Sequence, residues 1–179
     1  MAAALKLTPE VVEETCAKFS EVWPVNYNCP GQVSCAGNAG EIDAFCDAIK
    51  AAGGRAVKLP VSGAFHTPYM KDVEPVLRTA LEKMPLQAPQ IPVYANRTAG
   101  LYPADREGIT SLLSEQVCHA VRWEDTLRAM VADGIDTFVE VGAGTTLTGF
   151  VRRTLPEATA LTVNDFPSYE AVLKELLGD

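Results

Sequence analysis

His66 is one of only two histidines in the chain, and it stands in the stretch Val61-Ser62-Gly63-Ala64-Phe65-His66-Thr67-Pro68-Tyr69-Met70. Imidazole is the side chain best suited to take and return a proton near neutral pH. Thr67-Pro68 reads as a helix start, with a hydroxyl to cap free N–H groups and a proline suited to the first turn. A histidine just ahead of such a start lies on a loop at the end of a strand. In α/β sheets that is where ligands and chemistry collect. A lone loop histidine is more often solvated and idle, so the sequence around it has to decide.

The other reactive types narrow the chemistry. Five cysteines, at 16, 29, 35, 46 and 118, form no CxxC pair, and no His-x3-His spacing accompanies them. Neither a disulfide framework nor a zinc site is expected, and buried thiols in a reducing, cytoplasmic setting are. No metal and no bound cofactor is expected. Cys118 follows a helix and lacks an activating motif, and His119 has no visible partner. Gly142-Ala143-Gly144 lies between a strand and a helix, as a phosphate cradle does. It lacks a third spaced glycine and a Lys-Ser/Thr pair, which favours a tight structural turn. Fifteen basic and 23 acidic residues give a formal charge of −8. That balance argues against a nucleic-acid groove or a polybasic membrane anchor. The opening residues are too short for a signal peptide, and no apolar run reaches spanning length.

Hydrophobic spacing supplies the elements that must position these groups. Residues 2–7 read as a strand, and Thr8-Pro9 opens a helix to about Phe19. Residues 22–28 and 32–36 read as strands joined by Cys29-Pro30-Gly31. Asn38 to Glu41 resembles a capping box for a helix that stops at Gly53-Gly54. Residues 55–59 make a fourth strand. The order β-α-β-β-α-β is that of a ferredoxin-like module over residues 1–60. After His66 a long helix is expected to Met84, kinked or split by Pro75. Strands at 91–94, 137–141 and 160–163 then alternate with helices at 108–118, 123–133, 147–154 and 168–177. That alternation over residues 61–179 reads as part of an α/β domain with a mainly parallel sheet.

Several motifs, taken in order, resemble the malonyl-CoA:acyl carrier protein transacylase family. They are Asn26-Tyr27-Asn28-Cys29-Pro30-Gly31-Gln32, Val61 to His66, Ile91 to Asn96, Val121-Arg122-Trp123, and Glu140-Val141-Gly142-Ala143-Gly144 with Leu147-Thr148-Gly149. The resemblance covers nearly the whole chain. It implies a ferredoxin-like small subdomain followed by the C-terminal part of an α/β-hydrolase-like large one. It also implies transfer of a malonyl group from malonyl-CoA to the pantetheine thiol of acyl carrier protein, through a serine ester, in fatty-acid synthesis. His66 matches the family's catalytic histidine, and the main-chain carbonyl that holds its ring falls to Gln116. The Gln116 side chain is therefore expected to be replaceable. Ala64-Phe65-His66 matches the malonyl-selective form seen in polyketide acyltransferases, where Phe65 would fill the room of an α-methyl group; a plain core role for Phe65 stays equally open. Asn28, Gln32 and Asn96 either line the pocket mouth or satisfy nearby backbone. Arg122, Arg152 and Arg153 either meet CoA phosphates and the acidic carrier or form surface ion pairs.

One departure is large. No G-x-S-x-G occurs in the sequence. Ser34 and Ser62 lack the glycine turn that lifts a nucleophilic hydroxyl from a strand end. The expectation is an N-terminally truncated transacylase with no nucleophile of its own, inactive alone. A serine-bearing segment in trans, self-association through uncovered apolar faces, a polyketide-type fragment, and a non-catalytic carrier-binding module are the alternatives.

Overall fold

The computed structural model describes residues 1–61 and 63–178. Ser62, weighed above as a hydroxyl, lies outside the described residues, as does Asp179. The fold is α/β, with seven α-helices and nine strands among the described residues, in three sheets. By compactness it divides into two units, Met1–Thr126 and the chain from Leu127 onward.

The first unit begins β1 (Ala2–Leu5), α1 (Pro9–Cys16), β2 (Val22–Cys29), β3 (Gln32–Gly37), α2 (Ala39–Ala51) and β4 (Arg55–Lys58). These four strands lie side by side in the order β4-β1-β3-β2, each antiparallel to its neighbours. Strand and helix faces meet in one core in which Val12, Val33, Phe45 and Ile49 are almost wholly buried. The periodicity that predicted α2 holds, with Ile42, Phe45, Cys46 and Ile49 all inward. Its start differs in one respect from the capping box. Asn38 Oδ1 accepts from Gly40 N at 2.9 Å, but Glu41 turns away to accept from Glu21 N at 2.9 Å. That contact ties α2 to the loop before β2. At Gly37 a Cβ would stand 1.8 Å from the Glu21 carbonyl oxygen, so only glycine fits.

Beyond β4 come a 3-10 turn (Pro68–Met70), α3 (Val73–Leu81), β5 (Tyr94–Ala95), β6 (Gly100–Leu101), α4 (Arg106–Glu115), a second 3-10 turn (Gln116–Cys118), β7 (Val121–Arg122) and α5 (Trp123–Ala132). The helix expected from His66 to Met84, kinked or split by Pro75, is split. Pro75 falls in the first turn of α3, where its missing N–H leaves no helical bond unmade. The strand expected at 91–94 shrinks to Tyr94–Ala95, paired antiparallel with β6, because Pro92 cannot donate to a ladder. β7 adds to the first sheet in parallel with β2, matching Asn26 to Val121 and Tyr27 to Arg122. That pairing explains why residues 61–126 stay compact with the opening module.

The second unit carries β8 (Thr137–Val141), α6 (Thr146–Thr154), β9 (Thr159–Val163) and α7 (Phe166–Leu177). β8 and β9 pair in parallel over five residues, joined by the α6 crossover. Among the described residues this two-stranded sheet is the full extent of the parallel sheet expected downstream of residue 61. None of the described helices is long and apolar enough to cross a membrane.

Candidate active site

The loop between β4 and the first 3-10 turn is pinned at both ends. Leu59 N donates to Met1 O at 3.0 Å, and the fully buried Thr67 donates its hydroxyl to Ala64 O at 2.6 Å. The expected role of that hydroxyl as a helix cap is thus corrected. It folds back on its own loop and leaves the 3-10 turn without a side-chain cap. Between these anchors His66 adopts φ 63°, in the left-handed region. A β-carbon there costs about 1–2 kcal/mol, so the surrounding contacts must impose it.

Those contacts come from the second 3-10 turn. His66 N donates to Val117 O at 3.1 Å, and Nδ1 stands 2.9 Å from Gln116 O. A carbonyl only accepts, so Nδ1 carries the proton and the lone pair of the neutral ring sits on Nε2. The ring is half-buried. The ring is thus oriented through Nδ1 by a neutral acceptor.

The turn that aims it is itself braced. α4 starts on Asp105, whose Oδ1 accepts from Gly108 N at 2.8 Å, and ends at Glu115. Glu115 pairs with Arg97 and accepts from Ser111 Oγ at 2.7 Å. Cys118 Sγ lies 3.3 Å from Glu74 Oε2 on α3. Burial and the Glu74 carboxylate push that thiol up, so it stays protonated as a donor. His119, expected to be solvated, donates from Nδ1 to Glu115 O at 2.7 Å. Burial, with Arg97 nearby, holds its pKa below the usual histidine value. Sequence reasoning missed Glu74, Cys118 and His119 as braces. Only the shared spacing within 115–119 hinted at a closed turn.

The remaining sequence candidates fall in different places. Phe65 is 47% exposed, with its ring over Gly63, where an added Cβ would come within 2.8 Å of it. It is not a core residue. Asn28 Nδ2 donates to Ser34 Oγ at 3.1 Å inside the β2–β3 hairpin, and Gln32 occupies the same hairpin. Asn96 is exposed and its carbonyl accepts from Arg122 N at 2.7 Å. His66 and Gln116 are joined directly by these contacts, as are Asn96 with Arg122 and Asn28 with Ser34. A cleft of about 530 Å³ includes Leu59, Val61, Gly63, Ala64 and Tyr69 in its wall. A second, of about 710 Å³, is walled by His119, Arg97, Arg122, Tyr27 and several carboxylates. Among the described residues no group of three or more His, Cys, Asp or Glu side chains is placed to hold a metal ion. In the second unit the glycine loop before α6 is no phosphate cradle. Glu140 already accepts from Leu147 N at 3.1 Å and from Thr148 N at 2.7 Å, filling the helix N-terminus.

Comparison with known proteins identifies the family. The acyl transferase domain model matches residues 1–174. Malonyl CoA-acyl carrier protein transacylase of Bacillus subtilis (strain 168) is 30% identical over 181 residues, covering 98% of this chain and 57% of that protein. The solved malonyl CoA-acyl carrier protein transacylase of Clostridium perfringens superposes with a TM-score of 0.93 at 34% identity, over 98% of this chain and 56% of that one. A malonyl-transacylase solved in complex with its type II polyketide acyl-carrier protein gives 0.92 at 32% identity, over 97% and 58%. The chain thus spans a little over half the length of the relatives it matches. It belongs to the acyl transferase domain family, whose members matching this chain include malonyl CoA-acyl carrier protein transacylases and a polyketide biosynthesis protein of Burkholderia thailandensis.

Proposed function

We propose that this chain carries the histidine-bearing part of a malonyl-CoA:acyl carrier protein transacylase, with His66 as the general base. The observation that carries the reading is the 2.9 Å contact of His66 Nδ1 with Gln116 O. It leaves Nε2 to take a proton from a serine hydroxyl. The seryl oxygen then attacks the thioester carbonyl of malonyl-CoA, the C–S bond breaks, and His66 returns the proton to the departing CoA thiolate. In the second half His66 takes the proton of the carrier's pantetheine thiol. The sulfur attacks the seryl ester, and the proton goes back to the serine. Each half begins and ends with a neutral imidazole, so a carbonyl partner suffices to orient the ring.

The serine is not in this sequence, since no G-x-S-x-G is present. A segment bearing that motif completes the site, and the chain by itself does not form the ester. The finer fold reading belongs with this proposal. Residues 1–60 act as a ferredoxin-like small subdomain, supported by the β4-β1-β3-β2 order. Residues 61–179 act as the C-terminal part of an α/β-hydrolase-like large subdomain. Phe65, exposed beside the base, limits the α-substituent of the acyl group. Asn28, Gln32 and Asn96 line the mouth of the completed pocket. Acyl carrier protein and malonyl-CoA are the partners, in fatty-acid synthesis in the cytoplasm, in keeping with five free cysteines. Intact-mass analysis after incubation with malonyl-CoA tests the proposal. The chain alone should gain no malonyl group, and adding a G-x-S-x-G segment should place one on that segment only when His66 is intact. A malonyl ester on the lone chain, or one formed as fast with His66→Ala, overturns it.

A further inference from the structure

The Gln116 side chain was expected to be replaceable, because only its main-chain carbonyl meets the histidine. The structure gives the carboxamide a task. Its Nε2 donates to His119 O at 3.2 Å, while His119 N–H reaches back to Gln116 O at 3.4 Å. Two residues three apart are thus bonded in both directions, one bond from backbone and one from side chain. The His119 ring closes the same turn a third time, on Glu115 O at 2.7 Å. The peptide plane that carries the Gln116 carbonyl sits inside this stitched turn.

We propose that the Gln116 carboxamide is a positioning residue that aims the Gln116 carbonyl at His66 Nδ1. The backbone bond from His119 is long, and a 3-10 turn of three residues has poor internal geometry. Without the side-chain bond the carbonyl is free to tilt toward water. Nδ1–H then loses a well-aligned acceptor, and the ring, already in a left-handed backbone state, loses its orientation. A second contact acts the other way. Nε2 also lies 3.5 Å from His66 Nδ1, donor facing donor. The shorter bond to His119 O decides between them, so removing the amide should loosen the ring.

The proposal takes its meaning from His66 as the base, but its test does not need turnover. The full chain, labelled with 15N-histidine, gives two ring systems, told apart by a His119→Asn variant. In the unmodified chain the His66 proton resides on Nδ1 and exchanges slowly, and the Gln116 carboxamide protons are also protected. In Gln116→Met, which keeps the length and loses the donor, exchange of the Nδ1 proton should rise about five-fold, the weight of one ordinary hydrogen bond, in a chain that still melts in one cooperative transition. Gln116→Asn, with the same chemistry on a shorter arm, should show the same rise. Unchanged or slower ring exchange in a folded variant overturns the proposal. So do Gln116 carboxamide protons that exchange at solvent rates in the unmodified chain, a result that stands even if both variants fail to fold.

Discussion

A left-handed φ of 63° at His66 makes a prediction separate from chemistry. Asparagine tolerates that region far better than alanine does. His66→Asn should therefore melt above His66→Ala, by the equivalent of about 1 kcal/mol, although both lack the base. Equal melting would mean that the loop, not the residue, relaxes the strain. In the completed enzyme either variant should lose about 10²–10⁴-fold in transfer rate, the usual weight of a general base. His119 makes the second case. Burial lowers its pKa in the folded chain, so the unfolded chain binds the proton more readily. Folding stability must then rise with pH through the region just below the ordinary histidine value, and fall on acidification. His119→Asn should flatten that slope in a series of denaturant melts. An unchanged slope would assign the effect to other groups.

At the scale of elements, α6 rests on one carboxylate. Burial works against the charge on Glu140, but the Thr148 and Leu147 N–H groups and the Thr148 hydroxyl outweigh it and hold the carboxyl below its usual range. Its contribution is present above the ordinary glutamate value and disappears as pH falls through the lower folded one. Glu140→Gln should cost on the order of 1–2 kcal/mol, as loss of a charged N-terminal cap does. Stability of the variant should lose its acid sensitivity near that pH, a comparison that urea melts at two pH values will make. The sequence made α2 legible because its apolar spacing agrees with its burial, and β8 and β9 legible as short β-branched runs although little of either is buried. It placed α6 too but not its cap, since Glu140 reaches the helix across a glycine loop that periodicity cannot see. The same blindness hid the Glu41 contact to Glu21, whereas the division of the helix after His66 was legible from Pro75. Local patterns read correctly, while side chains recruited across loops did not. The histidine and its carbonyl were legible only because motif order pointed to them, whereas the Gln116 to His119 clamp depends on atoms that no spacing rule specifies.

On the scale of the whole chain, the apolar surface is what calls for an explanation. Val141 on β8 is 77% exposed, as are most of Phe166 and Leu177 on α7. A parallel sheet of two strands is ordinarily the inner part of a larger one, covered on both faces. Apolar side chains along such a strand are the surface through which copies stick together. The chain should accordingly self-associate, with its sizing profile moving to larger species as concentration rises. Charge does not prevent this, since the net −8 is spread over a surface of both signs. Val141→Lys, which adds a charge at the strand end, should shift the profile back toward monomer. On the function proposed above, a serine-bearing segment is expected to cover this strand as well, and its addition is then predicted to disperse the associated species and create the malonyl ester together. Dispersal without ester formation would leave His66 out of the reaction. A monomer at every concentration would show that these valine and leucine side chains need no cover at all.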